Sequence, residues 1–257
     1  MDFNDKVILI TGASTGIGKE MAKLVAKENC SLALIARRGE LLDELVGQIK
    51  TKDQIIKSYV CDVAKPAEVE KIFIEVREHF NKIDIAILNA GVGSKSSAED
   101  YNYENAKNTF DVNVLGIVNC VENLLPDFIK HKAGMIVGVS SLADSRGWQG
   151  SGFYCASKAA ATILLENLRV ELKPFNVKVI TVKPGFVETP MTAKNKFPMP
   201  FLMSAEKAAK IIIDGIKKEK RIIQFPLPAV LGSKFMRIVP EFLFEYISIK
   251  KPSNVKD

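Results

Sequence analysis

Two hydrophobic rhythms alternate along the chain. Short runs of mostly apolar residues recur at 6–11, 31–36, 54–60, 83–88, 134–140, 177–182 and 221–224. They are too short for helices and suit strands buried in a sheet. Between them the apolar positions recur with helical spacing, as in Leu41, Leu42, Leu45, Val46 and Ile49. Helices are predicted over 19–27, 39–50, 66–80 and 103–130, and from 156 onward. Pro66 suits a first turn. Ser204 is a candidate cap for a further helix through Lys217, with Glu206 in its first turn. Repeated strand–helix alternation implies a parallel sheet of about seven strands, right-handed crossovers and helices on both faces. A single doubly wound α/β domain over 1–257 is the expectation. Residues 190–204, rich in Pro and Met, read as a substrate lid, and 226–257 as an apolar C-terminal extension.

In such a fold ligands gather where the strands end. The first strand runs into Thr11-Gly12-Ala13-Ser14-Thr15-Gly16-Ile17-Gly18 and then a helix. Glycines let backbone approach a diphosphate, and the helix N-terminus offers unpaired N–H groups. The spacing is neither a P-loop nor G-x-G-x-x-G. After the second strand, an NAD site usually carries Asp or Glu. Here Ala36 is followed by Arg37 and Arg38. A guanidinium can clamp a 2′-phosphate that a carboxylate would repel, so NADP(H) is favoured over NAD(H). Asn89, Ala90 and Gly91 end the strand at 83–88 and leave room for a ligand.

Tyr154 and Lys158 are four apart and project side by side on a helix. A free phenol has a pKa of about 10. A fixed ammonium beside it stabilises the phenolate. A shift of about three units needs roughly 4 kcal/mol of differential interaction, and a pKa tuned toward neutrality is what acid–base catalysis wants. Alone, the pair equally describes a tyrosine whose lysine neighbour reaches solvent. Ser141 lies just past a strand end, thirteen residues before Tyr154. Gly12, Asn89, Ser141 and Pro184-Gly185 all follow strands and so share one sheet edge. Asn113 sits in an apolar stretch and is either a satisfied structural amide or a functional one.

Composition narrows the classes. The 36 basic and 30 acidic residues leave +6, spread along the chain, which does not argue for nucleic acid. Cys30, Cys61, Cys120 and Cys155 form no CxxC pair, which suits reduced thiols in a cytoplasmic protein. His79 and His131 are far apart, so a histidine metal site is not expected. No signal-peptide pattern fits the N-terminus.

Together these motifs resemble the short-chain dehydrogenase/reductase family over roughly residues 5–192. Its T-G-x-x-x-G-x-G motif falls on Thr11 to Gly18, and N-A-G on Asn89-Ala90-Gly91. Its Asn-Ser-Tyr-Lys tetrad falls on Asn113, Ser141, Tyr154 and Lys158. Pro184-Gly185, Val187 and Thr189 match its nicotinamide segment, and Asp62 and Val63 its adenine border. The resemblance implies a Rossmann-like fold and hydride transfer with a nicotinamide cofactor. Tyr154 would be the acid/base. Lys158 would lower its pKa and hold the ribose. Ser141 would donate to the substrate oxygen, and Asn113 would fix a relay water. A small-molecule carbonyl or alcohol substrate and a homodimer or homotetramer are implied. Trp148 and Gln149 are candidate substrate-lining residues. Cys155 reads as a packed thiol.

The extension carries Leu231, Phe235, Ile238, Phe242, Tyr246 and Ile249 between charged residues and ends in Lys250-Lys251. It is too interrupted to span a bilayer. It covers the core or the active-site mouth, packs on another subunit, or makes peripheral contact with a membrane. A different class stays open as well. A nucleotide-binding regulatory or scaffold protein could use this fold without turnover.

Overall fold

The structure, a computed structural model, describes residues 1–50, 54–94, 96–195 and 197–249. The chain runs β1 (Val7–Thr11), α1 (Gly16–Val25), β2 (Ser31–Ala36), α2 (Gly39–Ile49), β3 (Ile56–Val60), α3 (Pro66–Phe80) and β4 (Ile85–Leu88). It continues through α4 (Tyr103–Phe110), a π-helical turn (Asp111–Leu115), α5 (Gly116–His131), β5 (Met135–Val139), α6 (Gly152–Glu171) and β6 (Lys178–Pro184). Next come β7 (Val187–Glu188), β8 (Met203–Ser204), α7 (Ala205–Lys217), β9 (Ile222–Phe225), α8 (Leu227–Ile238) and α9 (Glu241–Ser248).

Seven strands pair in the order β3-β2-β1-β4-β5-β6-β9, all parallel. This is the doubly wound sheet expected from the alternation. The period-2 geometry of a strand divides each apolar run between two faces. Ile8 and Ile10 of β1 pack with Met21 and Val25 of α1, Leu42 and Leu45 of α2, and Ile212 and Ile216 of α7. Val7 and Leu9 face the other way, into Phe73 of α3, Ile117 and Leu124 of α5, and Leu165 of α6. Both faces are covered, so the strands read as unbroken apolar runs rather than alternating ones.

Two helical expectations change. The helix expected over 103–130 is interrupted by the π turn, which carries Asn113, and the helix after it continues straight through Pro126. A π turn inserts one residue into the helical register and commonly occurs at functional sites. α6 starts at Gly152, before the Ala-rich run, so Tyr154 already lies in its first turn. The segment expected to form a lid is pinched at its base, where Val187 pairs with Met203 and Glu188 with Ser204. Ser204 caps α7 by accepting from the Lys207 amide at 3.2 Å.

α8 and α9 lie against the turn that follows β5. The Arg146 guanidinium donates to the carbonyls of Met236 (2.9 Å), Arg237 (3.4 Å) and Val239 at the end of α8, and stands 4.9 Å from the Phe244 ring centre. These are the carbonyls a helix C-terminus leaves unpaired. Trp148, a candidate substrate-lining residue, meets Phe244 edge-on at 5.3 Å between ring centres. The outer side of this hairpin is bare: Leu227, Leu231, Phe235 and Ile238 form one exposed stripe, continued by Phe242, Tyr246 and Ile249. Lys250 and Lys251 lie outside the described residues.

Candidate active site

The glycine turn is built by its neighbours. Thr11 Oγ1 accepts from the amides of Asn89 (3.0 Å) and Ala90 (3.1 Å). The Asn89 carboxamide donates to the carbonyls of Thr11 (3.1 Å) and Gly12 (3.2 Å). The ends of β1 and β4 are thereby laced together. Gly12 sits at φ +66°, and a Cβ there would lie 2.8 Å from the Ala90 Cα. Only glycine meets both conditions. Gly16, at φ +59°, abuts Thr189, whose Cγ2 would stand 2.9 Å from an added Cβ. The Pro184-Gly185-Phe186-Val187-Glu188-Thr189 segment therefore folds down onto the glycine turn.

These residues fit a diphosphate. Thr15 caps α1 without a side-chain bond, and the first turn carries no acid, so its N–H groups face outward as anion donors. Arg38 Nη2 donates to Ser14 Oγ (3.1 Å) and Thr15 Oγ1 (2.7 Å), which brings a cation beside the turn. Ile17 packs on the core below, and Gly18 is buried in the first turn. Arg37 does not share this placement. Its guanidinium is 3.7 Å from the Asp62 carboxylate, the group at the expected adenine border, while Val63 is buried beside it. The two arginines leave β2 in opposite directions, as side chains of adjacent extended residues do.

Ser141, Tyr154, Lys158 and Asn113 converge at the carboxyl ends of β4 and β5. The Ser141 hydroxyl acts on the Tyr154 phenol and favours its ionised form. Lys158 Nζ lies 5.9 Å from the centre of the Tyr154 ring and donates to the Val139 carbonyl at 2.9 Å. A Cβ on Gly91 would sit 3.4 Å from that nitrogen and 3.2 Å from Asn113 Oδ1. Lysine and asparagine thus meet across one glycine.

Electrostatics here differ from the simple expectation. Burial pushes the Tyr154 phenol above its ordinary value of 10.0, and the Ser141 hydroxyl offsets this only in part. Burial also pushes the Lys158 ammonium down from 10.5 to about 8. Desolvation opposes charge on both groups, raising the phenol and lowering the ammonium, so it drives the two pKa values apart. The expected depression of the phenol by its lysine is absent from this structure.

Asn113 is almost fully engaged. Its amide donates to the Val92 carbonyl (3.0 Å) and Ser157 Oγ (3.0 Å), while Oδ1 accepts from the Val92 amide (2.8 Å). Both amide protons are committed, so its first role is to pin the loop after β4 to α6. A relay water could only donate to the remaining lone pair of Oδ1.

Ser140 and Ser141 are separated by their partners. Ser140 Oγ lies 2.8 Å from the Lys158 carbonyl and 2.7 Å from Thr162 Oγ1. Ser141 Oγ accepts from the Ala143 amide (3.1 Å) and donates to the Pro184 carbonyl in a long bond (3.5 Å). Asp144, Thr162 and Lys183 were missed by sequence reasoning, as was the part Thr11 plays in joining the ends of β1 and β4. The one local signal was Lys183, a lysine near the carboxyl end of a mainly apolar strand that Lys178 opens. All four cysteines are free and buried, and burial raises the Cys155 thiol. Among the described residues no His/Cys/Asp/Glu cluster could hold a metal.

Comparison with known proteins shows the family. The profile of the short chain dehydrogenase family matches residues 6–198. An "uncharacterized oxidoreductase" of Myxococcus xanthus is 32% identical over 240 residues, 93% of this chain and 95% of that protein. An "11-beta-hydroxysteroid dehydrogenase-like 2" of Arabidopsis thaliana is 34% identical over 95% of this chain and 82% of its own length. Among solved structures, an alcohol dehydrogenase of Thermococcus sibiricus complexed with 5-hydroxy-NADP superposes with a TM-score of 0.78 at 26% identity. It covers 86% of this chain and 95% of its own. A short-chain dehydrogenase/reductase of Burkholderia phymatum in complex with NAD reaches 0.85 at 22% identity, covering 100% and 99%.

Proposed function

The chain belongs to the short-chain dehydrogenase/reductase family of nicotinamide-dependent oxidoreductases, and we propose that it is an NADP(H)-dependent reductase of an apolar carbonyl compound. The observation that carries the cofactor preference is Arg38, whose guanidinium reaches Ser14 and Thr15 at the rim of the glycine turn. A ribose 2′-phosphate beside that turn would meet a fork of donors there. The relative complexed with 5-hydroxy-NADP is consistent with this reading.

When bound, the nicotinamide supplies the hydride. Gly12, Ser14, Thr15, Gly16, Ile17 and Gly18 would hold the diphosphate, and Asp62 and Val63 the adenine edge. Asn89, Ala90 and Gly91 would floor the ribose, with Lys158 beside them. Pro184, Gly185, Val187 and Thr189 would face the carboxamide. Ser141 donates to the substrate oxygen, where negative charge develops during reduction. Tyr154, acted on by Ser141, delivers the proton to that same oxygen. Lys158 holds the phenol's proton supply in a dry site, and Asn113 keeps the wall opposite it rigid. The apolar substrate class rests on Met191, Phe197, Phe201 and Leu202, which lie exposed in and beside the lid segment.

NADPH oxidation against a panel of aldehydes and ketones tests this reading. Wild type is expected to turn over, while Tyr154→Phe binds NADPH and does not. Binding without turnover in both would favour the regulatory alternative. Arg38→Ala is expected to weaken NADPH about 10- to 100-fold while sparing NADH, the loss of about 1.5–3 kcal/mol of charge-assisted bonding. Equal loss for both cofactors would refute the 2′-phosphate assignment.

The same proposal extends to a cytoplasmic protein that self-associates as a homodimer or homotetramer, with the bare α8–α9 stripe as its natural contact. Phe235→Ser would then lower the oligomeric state. Cosedimentation with anionic vesicles that the same change abolishes would assign the stripe to a membrane surface instead.

A further inference from the structure

One buried ionic group lies next to the site and is used by none of the steps above. Lys183 Nζ stands 2.7 Å from Asp144 Oδ2, with the lysine side chain 15% exposed and the carboxylate 4%. Thr162 Oγ1 donates to the same oxygen at 2.7 Å. A carboxylate can only accept, so the Thr162 proton is spent there. In the 2.7 Å contact with Thr162, Ser140 is then the donor, and its one proton is shared with the Lys158 carbonyl 2.8 Å away. The chain of bonds Lys183–Asp144–Thr162–Ser140 thus ends on the backbone of the residue that carries the site's amine. The other carboxylate oxygen, Oδ1, is buried with no partner.

Three elements meet at Asp144, and each carries part of the active site. Asp144 lies in the short turn Leu142–Ser145, which Ser141 opens: Ser141 Oγ accepts from the Ala143 amide and its carbonyl from the Asp144 amide at 3.2 Å. Thr162 lies on α6, one turn beyond Lys158 and two beyond Tyr154. Lys183 precedes Pro184 at the end of β6, where the Pro184-Gly185 segment begins. The β5–β6 ladder ends at Ser140, whose amide donates to the Val182 carbonyl at 2.8 Å, and the turn lies just beyond it. We infer that Asp144 is a positioning residue, a buried clamp that sets the Ser141 hydroxyl against Tyr154 and against the Pro184-Gly185 segment.

Lys183 has a second task in this arrangement. A bare carboxylate behind Ser141 would oppose negative charge growing on the substrate oxygen, and the ammonium cancels it. Asp144 already contributes to raising the thiol of Cys155, the neighbour of Tyr154, so its field reaches the site. Burying an ion pair is seldom the cheapest way to hold two elements together; apolar packing is usually as good. Its retention beside three site-bearing elements fits a demand for orientation.

The inference rests on the reductase reading for its consequence, but not for the clamp itself. The experiment compares wild type, Thr162→Val and the double variant Asp144→Asn/Lys183→Met, the last chosen because Lys183→Met alone would strand a buried charge. Each is assayed with NADPH and 9,10-phenanthrenequinone, and each is followed by amide hydrogen exchange. The double variant is expected to lose about 10- to 100-fold in kcat, as misplacement of a reacting group by about an ångström does. Both KM values should stay within about threefold, since binding contacts are untouched. Thr162→Val should show the same split in smaller measure. Exchange should quicken in peptides covering 141–146 and 183–188 and stay unchanged in β1 and β2. A folded double variant with wild-type kcat overturns the positioning role. Unchanged exchange in those two peptides overturns the clamp whatever the activity. If the wild type itself fails to oxidise NADPH with any carbonyl, the reductase reading falls, and the exchange comparison still decides the clamp.

Discussion

Replacing Lys158 by methionine should abolish turnover and yet stabilise the protein at neutral pH. The amine is buried, and burial alone lowers it from 10.5 to about 8. Because the folded pKa lies below the unfolded one, the folded chain holds this proton less tightly. The penalty is complete below about pH 8, shrinks as pH rises and vanishes above 10.5. The gap between 10.5 and about 8 corresponds to about 3 kcal/mol at pH 7, falling to about 1 kcal/mol at pH 10. Methionine removes the penalty but also the donor to the Val139 carbonyl, a loss of about 1–2 kcal/mol at either pH. The variant should therefore gain about 1–2 kcal/mol at pH 7 and lose its advantage at pH 10. Packing differences common to both conditions cancel in the comparison, which leaves a change of about 2 kcal/mol between them. Urea unfolding followed by circular dichroism at the two pH values measures it, with the linear-extrapolation slope checked for constancy. A stability difference that does not vary between pH 7 and pH 10 would show that Lys158 keeps its ordinary affinity for a proton. The desolvated amine would then not be part of how this site works.

The two serines should separate cleanly. Ser141→Ala is expected to cost about 10²-fold in kcat, as loss of one donor to a developing oxyanion does, whereas Ser140→Ala should lower Tm and leave kcat within a few-fold; steady-state kinetics with thermal unfolding reads both. Gly12→Ala should destabilise the fold and weaken either dinucleotide, because φ +66° and a 2.8 Å clash with the Ala90 backbone cannot both be relieved; fluorescence titration with NADH and NADPH checks that the two fall together. Cys30 and Cys61 have thiols pushed up to about 12 by burial, so a thiol-directed dye at pH 8 should label them only after denaturation. Rapid labelling of the native protein would contradict their packing.

The order of strands and helices was legible because both faces of the sheet are buried, which forces continuous apolar runs and amphipathic helices. The glycine turn, N-A-G and Tyr154–Lys158 were legible for the same kind of reason: each is a short stretch whose spacing carries its own geometry. The end of one element and the start of the next were harder. α6 begins four residues before its Ala-rich run, and the π turn at Asp111–Leu115 leaves no mark in residue type. The expected tuning of the phenol by its lysine failed for a physical reason. Desolvation acts on both groups at once, and the depth of burial is a property of everything packed around them.

Local spacing along the chain determined the sheet, the cradle for a diphosphate and the tyrosine–lysine pair, because these depend on residues within a few positions of each other and on backbone geometry. Docking of distant segments decided the rest. It sent Arg38 rather than Arg37 to the rim of the turn, gave Ser140 to α6 and Ser141 to the Pro184 carbonyl, and set Asp144 against Lys183 across thirty-nine positions of sequence. It also turned one side of α8 and α9 outward. Each of those outcomes is a choice between neighbouring side chains of similar chemistry, and only the partner that arrives from elsewhere in the fold distinguishes them.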